Sequence, residues 1–331
     1  MSDWRRADTE WFYRAKFGTF THYLADSASN KKAVGLGADE WNRRVDSFDV
    51  DRFASQLAET GSRYHFLTLG QNSGFFCSPN ETYDGIVGKP SRLSHRDLMQ
   101  DLANALTKVG IRAMAYLPAR APALDTRASE AFKCPPLWGR PKIENGNAEE
   151  VDRLCEFQRM WESVIREWAV RWGENLHGWW IDGCFDPRMY RHADAPNFRS
   201  FAEALKAGNP QALVAFNPGV GIPVISQTEY EDYTCGELDD LLAHNNNRPF
   251  HRFVDGAQFH ILSYLGECWG GGQPRFPDAL AVSYTEYVTR HDGVVTWDIP
   301  VRGDGAIPED YLRQLKKIGA KCHETAASPS G

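Results

Sequence analysis

No stretch of the 331-residue sequence approaches the roughly 18 consecutive apolar residues that cross a bilayer, so no membrane association is expected. Positive charge is in deficit. Lys and Arg number 37 against 44 Asp and Glu, a net charge of -7, whereas nucleic-acid partners require clustered cations. Nucleic acid is therefore not expected as a partner. The seven cysteines (77, 134, 155, 184, 235, 268 and 322) are an odd set with no Cys-x-x-Cys pair. That argues against a zinc or redox framework and makes a reduced, cytoplasmic setting the expectation. The opening Met1-Ser2-Asp3-Trp4-Arg5-Arg6 lacks the apolar core of a secretory signal. Also missing are a His-Glu-x-x-His metal motif, a Gly-x-Ser-x-Gly elbow, and a Gly-x-Gly-x-x-Gly after the first strand. No metal and no cofactor are expected.

What is present is a chain large enough for a full core, 42% hydrophobic, with 11 tryptophans. Flat aromatic faces suit the C–H-rich faces of sugars, and they also suit core packing. Short apolar runs alternate with helical periods. Strands are expected at Lys16–Leu24, Tyr64–Leu69, Ile111–Leu117, His177–Ile181 and Leu213–Phe216, then near 230–235, 259–265 and 294–297. Helices are expected at Asp49–Thr60, Arg96–Val109, Glu149–Trp172, Phe198–Ala207, Asp278–Arg290 and Glu309–Lys321, several ended by glycine. Eight strand-to-helix units of this kind imply a single α/β domain, a (β/α)8 TIM-like barrel. It would occupy 1–323, with an insertion at about 118–147 and a disordered tail at 324–331.

Barrels of this type gather their chemistry at the C-terminal ends of the strands. The polar residues expected there are His22, Gln71-Asn72, Tyr116, Asp182, Asn217, Asp232, Glu237, Glu267 with Trp269, and Asp298. This rim is rich in carboxylates and aromatics. Paired carboxylates without a metal suit acetal cleavage, one ionised to attack and the other protonated to assist the leaving oxygen. Each residue has a plainer reading. Asp182-Gly183 is also a turn pair, His22 could be a core histidine, and Glu267 and Asp298 could be ordinary rim charges. Trp179 and Trp180 point to opposite sides of a strand, so at most one faces the barrel mouth.

Several segments together resemble the family 29 α-L-fucosidases, over about Trp11 to Cys322. Lys16-Phe17-Gly18-Thr19-Phe20-Thr21-His22 resembles that family's Lys-Phe-Gly-Ile-Phe-Ile-His. Trp180-Ile181-Asp182-Gly183 resembles its Trp-Phe-Asp-Gly, and Asp232-Tyr233-Thr234-Cys235-Gly236-Glu237 keeps the spacing of its Asp-aromatic-x-x-x-Glu. Cys268-Trp269-Gly270-Gly271 resembles a Ser-Trp-Gly-Tyr element, and Trp297-Asp298-Ile299-Pro300 its Leu-Asn-Ile-Gly-Pro. There are departures. The family's His-His after the second strand is replaced by Gln71-Asn72, an Arg after the fifth strand is absent, and no C-terminal β-sandwich follows.

The resemblance implies an exo-acting, retaining glycoside hydrolase with Asp182 as nucleophile and Glu237 as acid/base. His22, Asn72, Tyr116, Trp180, Asn217 and Trp269 are the expected contacts to a mono- or oligosaccharide substrate, with Tyr116 and Trp269 as stacking surfaces. A homo-oligomer is left open. The altered pocket keeps three alternatives in play: a glycosidase for a sugar other than fucose, a non-catalytic carbohydrate-binding protein, and an isomerase or lyase using the same carboxylates.

Overall fold

Strands buried on both faces read as continuous apolar runs rather than alternating ones. A computed structural model, describing residues 4–26, 28, 35–135, 152–220, 224–241 and 251–324, arranges the runs accordingly. The strands are β1 (Phe17–Thr21), β2 (Tyr64–Thr68), β3 (Arg112–Pro118), β4 (Leu176–Asp182), β5 (Leu213–Phe216), β6 (Phe253–Val254), β7 (Ala257–Gln258), β8 (His260–Tyr264) and β9 (Val294–Asp298). Seven of them form one parallel, curled sheet in the order β5-β4-β3-β2-β1-β9-β8, and β6 and β7 make a separate antiparallel hairpin.

Among the described residues, the sheet therefore has seven strands instead of the expected eight, and it does not close into a complete barrel. Where a sixth strand was expected, near 230–235, the chain is irregular. It still spans the gap between the two edge strands. Asp232 N donates to Val214 O of β5 at 2.8 Å, and Leu238 N donates to Leu262 O of β8 at 2.9 Å. Gly236 makes that approach feasible: its φ is +58°, and a Cβ there would lie 2.1 Å from the His260 carbonyl oxygen.

Asp232 ties this segment down and does not reach the rim where it was expected. Its carboxylate accepts from Ala7 N at 2.6 Å, Val214 N at 2.9 Å and Lys206 Nζ at 2.7 Å, and it is fully buried. Removing one member of a buried ion pair leaves the other charge uncompensated. Lys206→Met is expected to destabilise the fold by about 3–5 kcal/mol, read from chemical denaturation midpoints.

Alternation along the strands divides the core into two layers. Phe20, Tyr64, Phe66, Met114, Tyr116, Trp180, Leu213, Ala215 and Leu262 belong to the inner cluster. Leu67, Ala115, Trp179, Ile181, Val214 and Phe216 pack outward with the helices. The inner space is tight enough to demand glycine opposite the large side chains. A Cβ on Gly18 would meet the Tyr64 ring at 2.3 Å, and one on Gly178 would meet Met114 Cε at 2.3 Å.

The helices are α1 (Glu10–Ala15), α2 (Ala38–Asp46), α3 (Val50–Thr60), α4 (Glu81–Val87), α5 (Leu98–Lys108), α6 (Thr126–Ala131), α7 (Cys155–Trp172), α8 (Phe198–Leu205), α9 (Asp278–Arg290) and α10 (Glu309–Glu324). Asp49, Asp97 and Asn197 cap α3, α5 and α8 by accepting from backbone N–H groups. The sequence reading missed α1, α2, α4 and α6, which are short. The first of these places Phe12 among Tyr64, Tyr233 and His260, at the N-terminal end of the sheet. The expected insertion, 118–147, contains α6, and its part from 136 on lies outside the described residues. Glu324 belongs to α10 and not to the tail; 325–331 are not described. No helix among the described residues is long and apolar enough to cross a membrane.

Two histidines are sealed in this interior. His65 sits between Thr19 and Thr21, and His260 between the Thr234 carbonyl and Thr296. Burial depresses both to about 3. Unfolded histidine titrates near 6.5, so acid protonates the unfolded chain first. Stability is thus fully present above about pH 6.5 and is lost as pH falls from there toward 3, by about 1.4 kcal/mol per pH unit for each histidine. Denaturation midpoints measured from pH 7 to 4 check this slope, and substituting either residue should flatten it.

Candidate active site

The period-two alternation of β4 decides which of its residues enter the mouth. Trp179 goes outward, its indole N–H donating to Leu205 O at 2.9 Å. Trp180 and Asp182 go inward and line a cavity of about 390 Å³ at the C-terminal ends of the strands. His22, Gln71, Asn72, Tyr116, Glu237 and Trp269 line it with them. Asn217 lies just behind and reaches the carboxylates. All eight residues expected at the site are thus brought together.

Asn217 organises the pair. Its Nδ2 donates to Asp182 Oδ1 at 2.9 Å and to Glu237 Oε2 at 2.6 Å. Its Oδ1 accepts from Gly219 N at 2.9 Å, which fixes the amide's orientation. Those two carboxylate oxygens can be no farther apart than the two bonds laid end to end, which is short of the roughly 6.5 Å where inverting pairs begin.

A second contact holds Asp182 from β3. The Tyr116 hydroxyl donates to Asp182 Oδ2 at 2.6 Å and accepts from Gln71 Nε2 at 2.7 Å. Burial, reinforced by the Asp182 charge, holds the Tyr116 phenol well above its usual range, so it stays a donor. Its ring is stacked on Trp180, with centroids 5.5 Å apart and planes at 18°. One face of Tyr116 is therefore occupied by protein, contrary to its expected use as a stacking surface. Trp269 stands at the edge of the cavity, its indole N–H on Asp239 Oδ1 at 3.2 Å.

The other acidic residues separate clearly. Glu267 is not among the cavity-lining residues and accepts from Gln273 N at 3.4 Å. Asp298 is no ordinary rim charge, being fully buried beneath His22. Gln71, expected at the rim beside Asn72, lines the cavity, as do residues not selected from sequence: Asp239 and the exposed apolar pair Phe185 and Val220, 37% and 44% accessible. Phe185 and Val220 sit in loops with no distinguishing pattern. Among the described residues, no group of three or more His, Cys, Asp or Glu is placed to hold a metal ion.

No protein-family profile matches the chain, and no curated protein does. Solved structures do. An endo-fucoidan hydrolase, MfFcnA4 of glycoside hydrolase family 107, superposes with a TM-score of 0.69 at 19% identity over 94% of this chain. This chain spans only 53% of that one. A second family 107 endo-fucoidan hydrolase, P5AFcnA, matches at a TM-score of 0.66 and 15% identity, covering 96% of this chain and 95% of its own. The α-L-fucosidase AlfC from Lactobacillus casei, in complex with α-L-fucose product, matches at 0.64 and 15%, covering 96% and 98%. The fold is one that fucose-acting glycoside hydrolases use. At these identities the likeness concerns the fold alone.

Proposed function

We propose that the protein is an exo-acting, retaining glycoside hydrolase, with Asp182 as nucleophile and Glu237 as acid/base. The observation that carries this reading is the Asn217 bridge. A pair of carboxylates, held by one amide at the mouth of a parallel α/β sheet, supports double displacement across a short gap. A protein that only bound sugars would not need such a matched pair.

In the first step Asp182 attacks the anomeric carbon and forms a glycosyl ester, while Glu237 gives its proton to the departing oxygen. In the second, Glu237 takes a proton from water, which attacks the same carbon and frees Asp182. The hydroxyl of Tyr116 and the amide of Asn217 hold the Asp182 carboxylate in place between turnovers. His22, Asn72, Trp180 and Trp269 are the proposed sugar contacts, with Asn217 touching the pair itself.

The glycone forms the second part of the proposal. The shared fold and the sequence resemblance both favour a 6-deoxy sugar of the fucose type. Gln71 and Asn72, however, stand where family 29 enzymes carry two histidines, and Gln71 is committed to Tyr116. A pocket built to bond particular hydroxyls rejects sugars that leave its polar groups unpaired. This favours a related sugar such as a galactose or arabinose as the alternative. Turnover of a panel of 4-nitrophenyl glycosides, with NMR identification of the first-formed anomer, tests both parts. Retention of the substrate's configuration is expected; an inverted first product would overturn the mechanism.

A further inference from the structure

The geometry points to Asp298 as a positioning residue that sets which ring nitrogen of His22 carries the proton and how the imidazole faces the cavity. The inference rests on the reading of that cavity as a sugar site. Asp298 ends β9, pairs with Phe20 of β1 in the sheet register, and has no exposed surface. Its Oδ1 lies 2.9 Å from His22 Nδ1, and its Oδ2 accepts from Gly270 N at 2.5 Å.

A carboxylate in that position can only accept, so Nδ1 of His22 must be the donor. In the neutral ring, Nε2 is then the unprotonated nitrogen, available to accept from a sugar hydroxyl. The side that would let the ring tilt is closed as well. Gly270, at φ +68°, packs so tightly that a Cβ there would lie 2.7 Å from His22 Cβ. Trp269, the next residue back, meets the His22 ring edge-on with centroids 5.8 Å apart. One buried carboxylate thus ties the end of β1, the end of β9 and the loop after β8 into one corner of the cavity.

The consequence is a rule of recognition. In that neutral form His22 presents an acceptor, so it selects a sugar with a free hydroxyl at that corner and disfavours a deoxy or O-methylated position there. Asp298→Asn would replace the obligate acceptor by an amide that can donate, permitting the opposite tautomer. The analogous change beside a catalytic histidine, with geometry intact, is costly for that reason.

The test begins with ¹⁵N-histidine NMR of the wild-type chain without ligand, at a pH where His22 is neutral. The Nδ1–H tautomer is expected, and an Nε2–H tautomer would overturn the assignment. Because no sugar is involved, this arm stands even if the glycosidase reading fails. A double-mutant cycle follows, using the 4-nitrophenyl glycoside that the panel selects. Asp298→Asn is expected to raise KM at least tenfold, with a smaller effect on kcat, in the wild-type background. In the His22→Ala background it should change KM by less than twofold. Equal effects in both backgrounds would mean that Asp298 only supports the fold, and the proposal would fall. Should Asp298→Asn not fold, the wild-type tautomer decides alone.

Discussion

Asp182→Asn is expected to lower kcat on an activated aryl glycoside by roughly 10³-fold or more while leaving the protein folded. The amide is nearly isosteric and can accept from the Tyr116 hydroxyl or the Asn217 amide, losing one of the two hydrogen bonds while the mouth keeps its framework. What it lacks is a negative charge to attack the anomeric carbon. The loss should therefore appear in kcat and kcat/KM, with a melting temperature close to that of wild type. Shortening the same residue, Asp182→Gly, opens room for an external nucleophile. Azide is expected to restore turnover and to give a glycosyl azide of inverted configuration. Full activity of Asp182→Asn, or azide rescue with retained configuration, would remove Asp182 from the role.

Glu237→Ala should show a different signature. General acid catalysis is worth about 10²–10⁴-fold, and it matters most when the leaving group is a poor one. Simple alkyl glycosides should lose that full factor, whereas a dinitrophenyl glycoside, whose phenolate departs unaided, should lose far less in its first step. Azide should here give a product of retained configuration, formed on the intact Asp182. A uniform loss across leaving groups would point to another acid. Asp239 would be examined next, since it lines the cavity and Glu267 does not.

The residues that sequence reading placed well and badly differ for physical reasons. Trp180 and Asp182 were legible because a strand alternates strictly, so assigning β4 assigned its inner face. The long helices α3, α7 and α9 carry enough turns for an apolar stripe to show, whereas α1 and α4, of six and seven residues, do not. Asp232 and Glu237 were both expected at the rim. Five residues apart on a nearly extended segment, they face opposite ways, and Asp232 goes to Lys206 while Glu237 enters the cavity. The segment's failure to form a regular strand follows from Gly236 and from anchoring through side chains, neither of which leaves a periodic trace. Asp298 was misjudged because burial at a strand's end depends on what folds over it. That cover is the Trp269–Gly270 turn, distant in sequence and close in space.

The inner layer has one more implication. Phe20, Trp180 and Leu262 floor the cavity, Phe66 and Met114 fill the interior beneath them, and Phe12 closes the far end. Phe185, Val220, Trp269 and Asp239 also line the cavity, and the first two are exposed. In the proposed double displacement, the departing alcohol and the incoming water would pass through this cavity in turn. An alcohol slow to leave delays the water, and one present in excess can take its place. In that reaction, how long the first product lingers in the cavity would set the balance between cleaving a sugar and passing it on.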